Sequence, residues 1–399
     1  MARRLTLDFL KTEAGAGMAP VAAGAVALIL ANSPLSERYF AFLAHPITIQ
    51  AGGFHETLSV EGWVKNGLMA LFFLVVGMEI KFELLRGELS SPRRLALPVL
   101  AALGGMIAPA LVYLLINAGA AGAPHGWPIG TATDVAFSLA ALAVVAPRMP
   151  PSLRVFLLTL AIADDLGAVA LIGLLYSSAI HWSAVLGAGA GLAGLAMLSR
   201  WKRAPLLLYS GGFVIVWGFC LKSGINTSVA GVACALTVPI GARRAGGDGV
   251  LKMFMDSLHP YVAFGVLPLF AFIASGFALS ELSASDLFSP IPIGVALALV
   301  IGKPLGVFGF AFLAVTLRLG RRPTGTTWFE LLGVALLCGV GFTMSLYLGG
   351  LAFGAGAGLA QSQVRMGVIA GSLASVAAGG AVMAIARRRR EALGEESFD

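Results

Sequence analysis

Charge is what this sequence has least of. Asp, Glu, Lys and Arg make up 12% of its 399 residues, against 58% hydrophobic. That is more apolar surface than a globular core can hide, which excludes a soluble globular chain and implies a bilayer as solvent. Cysteine is scarce too. Cys220, Cys234 and Cys338 are odd in number, far apart and each inside an apolar stretch, which excludes a disulfide framework and leaves packed free thiols. His45, His55, His125, His181 and His259 fall near loops or segment ends without ligand spacing, so no resident metal and no cofactor is expected. The marks of a cleaved leader are also missing. "MARRLTLDFLKTEAGAG" runs into an apolar stretch that simply continues, so the first segment is expected to remain as a membrane span.

Each helical crossing needs about 20 apolar residues. Twelve stretches qualify, roughly 14–32, 62–81, 95–117, 127–146, 152–177, 183–199, 205–221, 225–240, 258–279, 290–317, 327–351 and 364–386, in a single transmembrane domain over 1–399. The fold class expected is an all-α polytopic membrane protein. Lys and Arg test the number of spans, because they accumulate in cytoplasmic loops. With the N-terminus inside, the inward segments hold all of the 27 basic residues except Arg38, Lys65, Lys222, Arg365 and Lys303. One segment more or fewer would reverse every later loop. The bias predicts twelve spans with both termini cytoplasmic, and makes the +7 net charge a topology signal rather than a nucleic-acid footprint.

The first outer loop has its own pattern. In "ITIQAGGFHETLSV", Ile47 and Ile49 alternate with polar residues and Gly52-Gly53 supplies the positive φ of a tight turn. A short external β-hairpin is predicted over about 45–59, with edges free to pair with a second copy.

Nearly every acid falls in a loop or at a segment end, with Glu79 and Glu83 at the cytoplasmic edge of the second segment. Asp134, Asp164 and Asp165 do not. An ionised group at a helix centre costs about 2.5–3.5 kcal/mol even on insertion scales, so three of them point to function. Asp164 and Asp165 sit at the midpoint of the fifth segment, and Lys303 is central in the tenth, at the same depth. Helix neighbours point about 100° apart, so one carboxylate can pair with Lys303 while the other faces a cavity. A plain acid–base bridge would account for one Asp and the Lys. Three carboxylates to one ammonium leave negative charge that protons or a cation must meet.

The fourth segment, "WPIGTATDVAFSLAALAVVA", opens with Pro128, Gly130, Thr131, Thr133 and Asp134, a poor helix start, and becomes a good helix from Val135. The eleventh has a matching interruption, "CGVGFTMS", with Gly339, Gly341, Thr343 and Ser345 near its midpoint. Glycine runs can also mean close helix packing, as Gly187 and Gly191 suggest for the sixth segment. Two breaks beside membrane charges point instead to a transporter's binding site, because non-helical backbone at that depth must line a polar cavity or be covered by protein. Asp134 and Lys303 are placed to offset the partial charges of the half-helix ends.

With "TATDVAFSLA" (131–140), "LAIADDLGAVA" (160–170), "CLKSGIN" (220–226), "IGKPLG" (301–306) and "LCGVGFTMSL" (337–346), the sequence resembles the bacterial NhaA-type Na+/H+ antiporters over nearly its whole length. The resemblance implies inverted repeats and two interrupted helices crossing at mid-membrane. It implies Na+ binding at Asp165 and Asp164, with Asp165 the principal ligand and Asp164 the partner of Lys303. Thr133 and Asp134 would add the broken fourth segment's contribution, and Glu79 and Glu83 would belong to a pH response. It also implies a homodimer through the hairpin, a place in the bacterial inner membrane, and Li+ as a second cargo. The sequence departs from the family at Phe82, Asn226, Asn66 and Met255, where relatives carry an arginine, a histidine, an acid and a glutamate, which puts alkaline activation in doubt.

The function expected is therefore secondary antiport rather than an enzyme's reaction. A carboxylate holds a proton or Na+ in turn, and electrogenic exchange follows if more protons than Na+ move per cycle. An intramembrane aspartyl protease needs its two Asp on separate facing helices, which a sequential pair cannot supply. A retinal pump could use Lys303 as a Schiff base, but twelve spans and two broken helices argue against it. The nearest rival is a proton-coupled carrier of a small organic solute, which should show a pocket larger than an ion.

Overall fold

The computed structural model describes residues 13–51, 54–87, 92–119, 121–146, 149–177, 180–201, 204–241, 249–354 and 358–392. The Gly52-Gly53 turn lies outside these, as do Arg3, Arg4, Lys11, Arg148, Lys202, Arg203, Arg243 and Arg244 of the charge pattern.

Helix α1 (Glu13–Ala31) turns through 115° into the short α2 (Ser36–Ala44), which the apolar pattern did not separate from a loop. Strands β1 (Pro46–Ala51) and β2 (Phe54–Ser59) then form the antiparallel hairpin, with Ile47 opposite Leu58 and Ile49 opposite Glu56. A helical turn (Val60–Trp63) and a π-helical turn (Val64–Leu68) lead into α3 (Met69–Arg86), followed by α4 (Pro92–Ile116). A 3-10 segment (Pro124–Thr131) precedes α5 (Val135–Val145), and α6 (Pro151–Leu175), α7 (Trp182–Leu198), α8 (Leu206–Ser223) and α9 (Thr227–Thr237) follow. Helix α10 (Val250–Tyr261) passes through a π turn (Val262–Val266) into α11 (Leu267–Ser275). Helix α12 (Pro290–Leu297) does the same through Ala298–Gly302 into α13 (Lys303–Thr316), so the extra residue of a π turn immediately precedes Lys303. The chain closes with α14 (Trp328–Leu337), α15 (Phe342–Phe353) and α16 (Gly358–Ala392).

Among the described residues six helical stretches are singly long and apolar enough to cross a membrane, for example Pro151–Leu175 and Gly358–Ala392. Three bent pairs pass the same test together, among them α1 with α2 at 115°; the other two are the 3-10 segment with α5 at 45° and α14 with α15 at 46°. These are the two interruptions expected from sequence. The chain is a multi-pass membrane protein.

Two apolar clusters hold two bundles, and a larger one, with Phe73 of α3, Ile172 of α6, Phe270 of α11 and Tyr347 of α15, joins elements of both. Of the two, one joins α3, α7, α8, α9 and α10 through Leu74, Leu195, Val216, Cys234 and Leu251. The other joins α4, α5, α6, α13, α14 and α16 through Ala101, Leu142, Leu157, Val307, Leu331 and Met383. Small residues set the closest approaches in the second. A Cβ on Gly104 of α4 would collide with the Gly306 carbonyl of α13, and one on Gly306 with that of Gly104.

Candidate ion-binding site

The two interruptions lie against each other and satisfy each other's backbone. The Asp134 N–H donates to the Val340 carbonyl at 2.7 Å. Ser138 donates to the Leu337 carbonyl at 2.9 Å and Ser345 to the Ile129 carbonyl at 2.6 Å. The Phe342 N–H donates to Ser372 Oγ at 3.2 Å. Exposed half-helix ends leave N–H and C=O groups unsatisfied, and lipid cannot pair them, so these reciprocal bonds are what permit the breaks. Gly339 is required here, because a Cβ would strike the Leu299 carbonyl and Ser375 Oγ.

Asp134 serves both half-helices. One carboxylate oxygen accepts the Phe137 N–H at 3.1 Å, capping α5. The other accepts the Thr343 N–H at 3.1 Å and the Thr343 hydroxyl at 2.6 Å, in the first turn of α15. A single negative charge thus faces two positive helix ends. Lys303 answers at one of the opposite ends, donating to the Thr131 carbonyl that closes the 3-10 segment.

Asp164 and Asp165 diverge as neighbours on a helix must. Asp164 is buried and its Oδ2 is paired with the fully buried Lys303 ammonium. The same oxygen accepts the Thr133 hydroxyl at 2.7 Å, a hydroxyl also 3.0 Å from the Cys338 carbonyl. Among the described residues its Oδ1 has no hydrogen-bond partner, so the pair leaves one carboxylate oxygen unmet.

Asp165 points the other way, into a cavity of about 390 Å³. Its walls include Thr133, Asp134 and Thr343 at the depth of the breaks, then Val76, Glu79, Phe82 and Glu83 of α3, and Met255 and His259 of α10. The cavity runs from exposed His259 to Asp165, which is 5% exposed. No hydrogen bond to the Asp165 side chain is formed among the described residues.

The sequence had placed Glu79 at the edge of its span, yet it lines the same cavity as Asp165. Phe82 and Met255 line it as well, while the other two departures lie elsewhere. Asn226 caps α9 through the Ser228 N–H, and the Asn66 side chain donates back to the Gly62 carbonyl. His259, set aside as a segment-end histidine, stands at the cavity's exposed end; spacing carries no signal for that, because α10 and α3 meet only in the fold. Thr133, expected beside the ion, is turned to Asp164 through its hydroxyl while its residue still lines the cavity.

A family model described as Na+/H+ antiporter 1 matches residues 7–383. The chain belongs to that family. The Na(+)/H(+) antiporter NhaA of Pseudomonas putida (strain GB-1) is 44% identical over 387 residues, covering 97% of this chain and 99% of that protein. The protein of the same name from Rhodospirillum rubrum is 44% identical over 391 residues, covering 96% and 97%. That from Mesorhizobium japonicum is 45% identical over 385 residues, covering 95% and 94%. The family's length matches this chain's, so the membrane charges, both breaks and the hairpin all fall within the shared region.

Proposed function

We propose that the chain exchanges Na+, and Li+ with it, for protons across a bacterial inner membrane, with Asp165 as the seat the two cargoes share. The observation that carries this is the Asp165 carboxylate, at the deep end of the cavity and without a hydrogen-bond partner among the described residues, beside an Asp164 already held by Lys303. Na+ prefers oxygen ligands, and the Asp165 carboxylate and nearby backbone carbonyls can replace part of its water shell, with the Thr133 hydroxyl joining them once it leaves Asp164. Proton loss makes room for the cation, and reprotonation on the other side expels it.

In this reading Asp164 is the reserve. It becomes a direct Na+ ligand only when Lys303 releases it, and a proton moving with that release makes the exchange electrogenic. Asp134 and Lys303 keep the crossing half-helices neutral while the site changes sides. The remaining finer points belong to the same reading: twelve spans in inverted repeats, both termini cytoplasmic, Glu79 and Glu83 in the cytoplasmic approach, and a homodimer through the hairpin, whose Ile47 and Ile49 are 41% and 43% exposed. A cavity larger than an ion also suits an organic-solute carrier, but family membership favours the antiporter. The test is Na+-driven pH change in everted vesicles. Wild type should discharge a proton gradient on Na+ addition and Asp165→Asn should not; equal responses would refute the assignment.

A further inference from the structure

The cavity opens between the two bundles toward one side, and a second pocket, of about 10 Å³, lies at the other end against Lys65, Gln361 and Arg365. Val76 and Glu79 form one wall and Thr133 and Asp165 the other, and the opening lies toward Glu83 and His259. At the opposite end of the same helices the bundles are tied by polar contacts. Glu61 stands about 27 Å from Glu79 by helical rise, and its Oε1 lies 3.4 Å from Arg365 of α16 and 2.6 Å from Lys65. The Arg365 guanidinium also donates to the Gly276 carbonyl at the end of α11 and to Gln361 at 3.3 Å. Its side chain is only 13% exposed.

A second tie lies between the first and the site. The Tyr347 hydroxyl on α15 is 2.5 Å from Ser228 Oγ of α9 and donates to Asn226 Oδ1 at 3.3 Å. Its ring packs on Phe73 of α3 and Phe270 of α11, with centroids 5.7 and 5.8 Å apart. The first tie joins α16 to the turn before α3 and to the end of α11, and the second joins α15, which carries Thr343 of the site, to α9. Two bundles that rock about a fixed site expose it on one side by closing on the other, so contacts at the closed end must part in each cycle.

We propose that Arg365–Glu61–Gly276 and Tyr347–Ser228–Asn226 form a two-layer latch that closes the outer side of the site, with these residues positioning the bundles rather than touching cargo. The inference rests on the alternating-access reading above. Its consequence is directional: weakening the latch shifts the population toward states in which Asp165 is reached from the Glu61 end.

The test uses a cysteine reporter, Val76→Cys, a near-isosteric change in the cavity wall. The native Cys220, Cys234 and Cys338 are buried. A membrane-impermeant maleimide is applied to right-side-out and to everted vesicles. Adding Tyr347→Phe should raise labelling from outside about fivefold, and Arg365→Gln about tenfold, the sizes expected for losing a neutral and a charged hydrogen bond. Labelling from inside should not rise. Outside labelling unchanged in both variants, or raised equally from both sides, would overturn the latch. Tyr347→Phe and Ser228→Ala are mild enough to fold if Arg365→Gln is not. Na+-driven exchange on the same wild-type vesicles separates the two failures, since the antiporter reading fails there and the latch fails in the labelling ratio.

Discussion

Replacing Asp134 by Asn and by Ala asks how much one carboxylate contributes by holding two helix ends. In the native site one oxygen caps α5 and the other takes two donors from Thr343 at the start of α15. Asn keeps a single acceptor oxygen, so it can serve one helix and turns an amide toward the donors of the other. It also removes the negative charge that both ends share. A lost cap costs about 1 kcal/mol, and the charge contributes up to about 2 kcal/mol in a partly buried geometry. Asp134→Asn should therefore lose roughly 2–3 kcal/mol. Ala gives up the second cap and leaves the Thr343 hydroxyl and two N–H groups unpaired, each at about 1 kcal/mol or more, for a loss of roughly 4–6 kcal/mol. Equilibrium unfolding in detergent micelles, followed by helical circular dichroism, reads the series. An Ala variant within about 0.5 kcal/mol of wild type would refute the shared cap, the scatter expected for a residue without such a role.

Two further outcomes follow from the charges. Lys303→Met strands a buried Asp164 whose Oδ1 is already unpartnered, so it should cost about 3–5 kcal/mol; adding Asp164→Asn should recover part of that, and a double variant no better than the sum of the singles would contradict the pairing. At the outer end, burial pushes the Glu61 carboxyl up, but Lys65 and Arg365 outweigh it and hold it below its ordinary value of 4.5. A lowered folded value means that Glu61 stabilises at neutral pH and that this contribution is lost as pH falls through the folded value. With Lys65, Arg365, Gln361 and Tyr39 the groups around it, the gap in melting temperature between wild type and Glu61→Gln should be present at pH 7, begin to shrink as pH falls past 4.5 and vanish only once the lowered folded value is passed. A gap that grows on acidification would contradict this.

Much of the site was legible because its signals are local or costly. Adjacent carboxylates on one helix cannot share a partner, which is why one of the pair meets Lys303 and the other the cavity. Pro128, Gly130, Gly339 and Gly341 mark both breaks, and alternation at Ile47 and Ile49 marks the hairpin. What escaped depends on contacts between distant parts of the chain. That Thr343 would share Asp134 with Phe137, that Thr133 would turn to Asp164, and that Arg365 would reach both Glu61 and Gly276 leave no trace in spacing. Glu79 looked like an edge residue because hydropathy locates where a span ends and says nothing of how far a cavity penetrates beside it. The bend into α2 escaped for a similar reason: "SERYFAFLA" is too short and mixed for its period to stand out.

Competition at one seat has a direct chemical signature. Purified protein in weakly buffered detergent should release protons when Na+ or Li+ is added, more readily as pH rises toward proton loss, and not when choline is added. Asp165→Asn should release none. Na+ binding by the wild type with no proton appearing in solution at any pH would contradict the shared seat at Asp165.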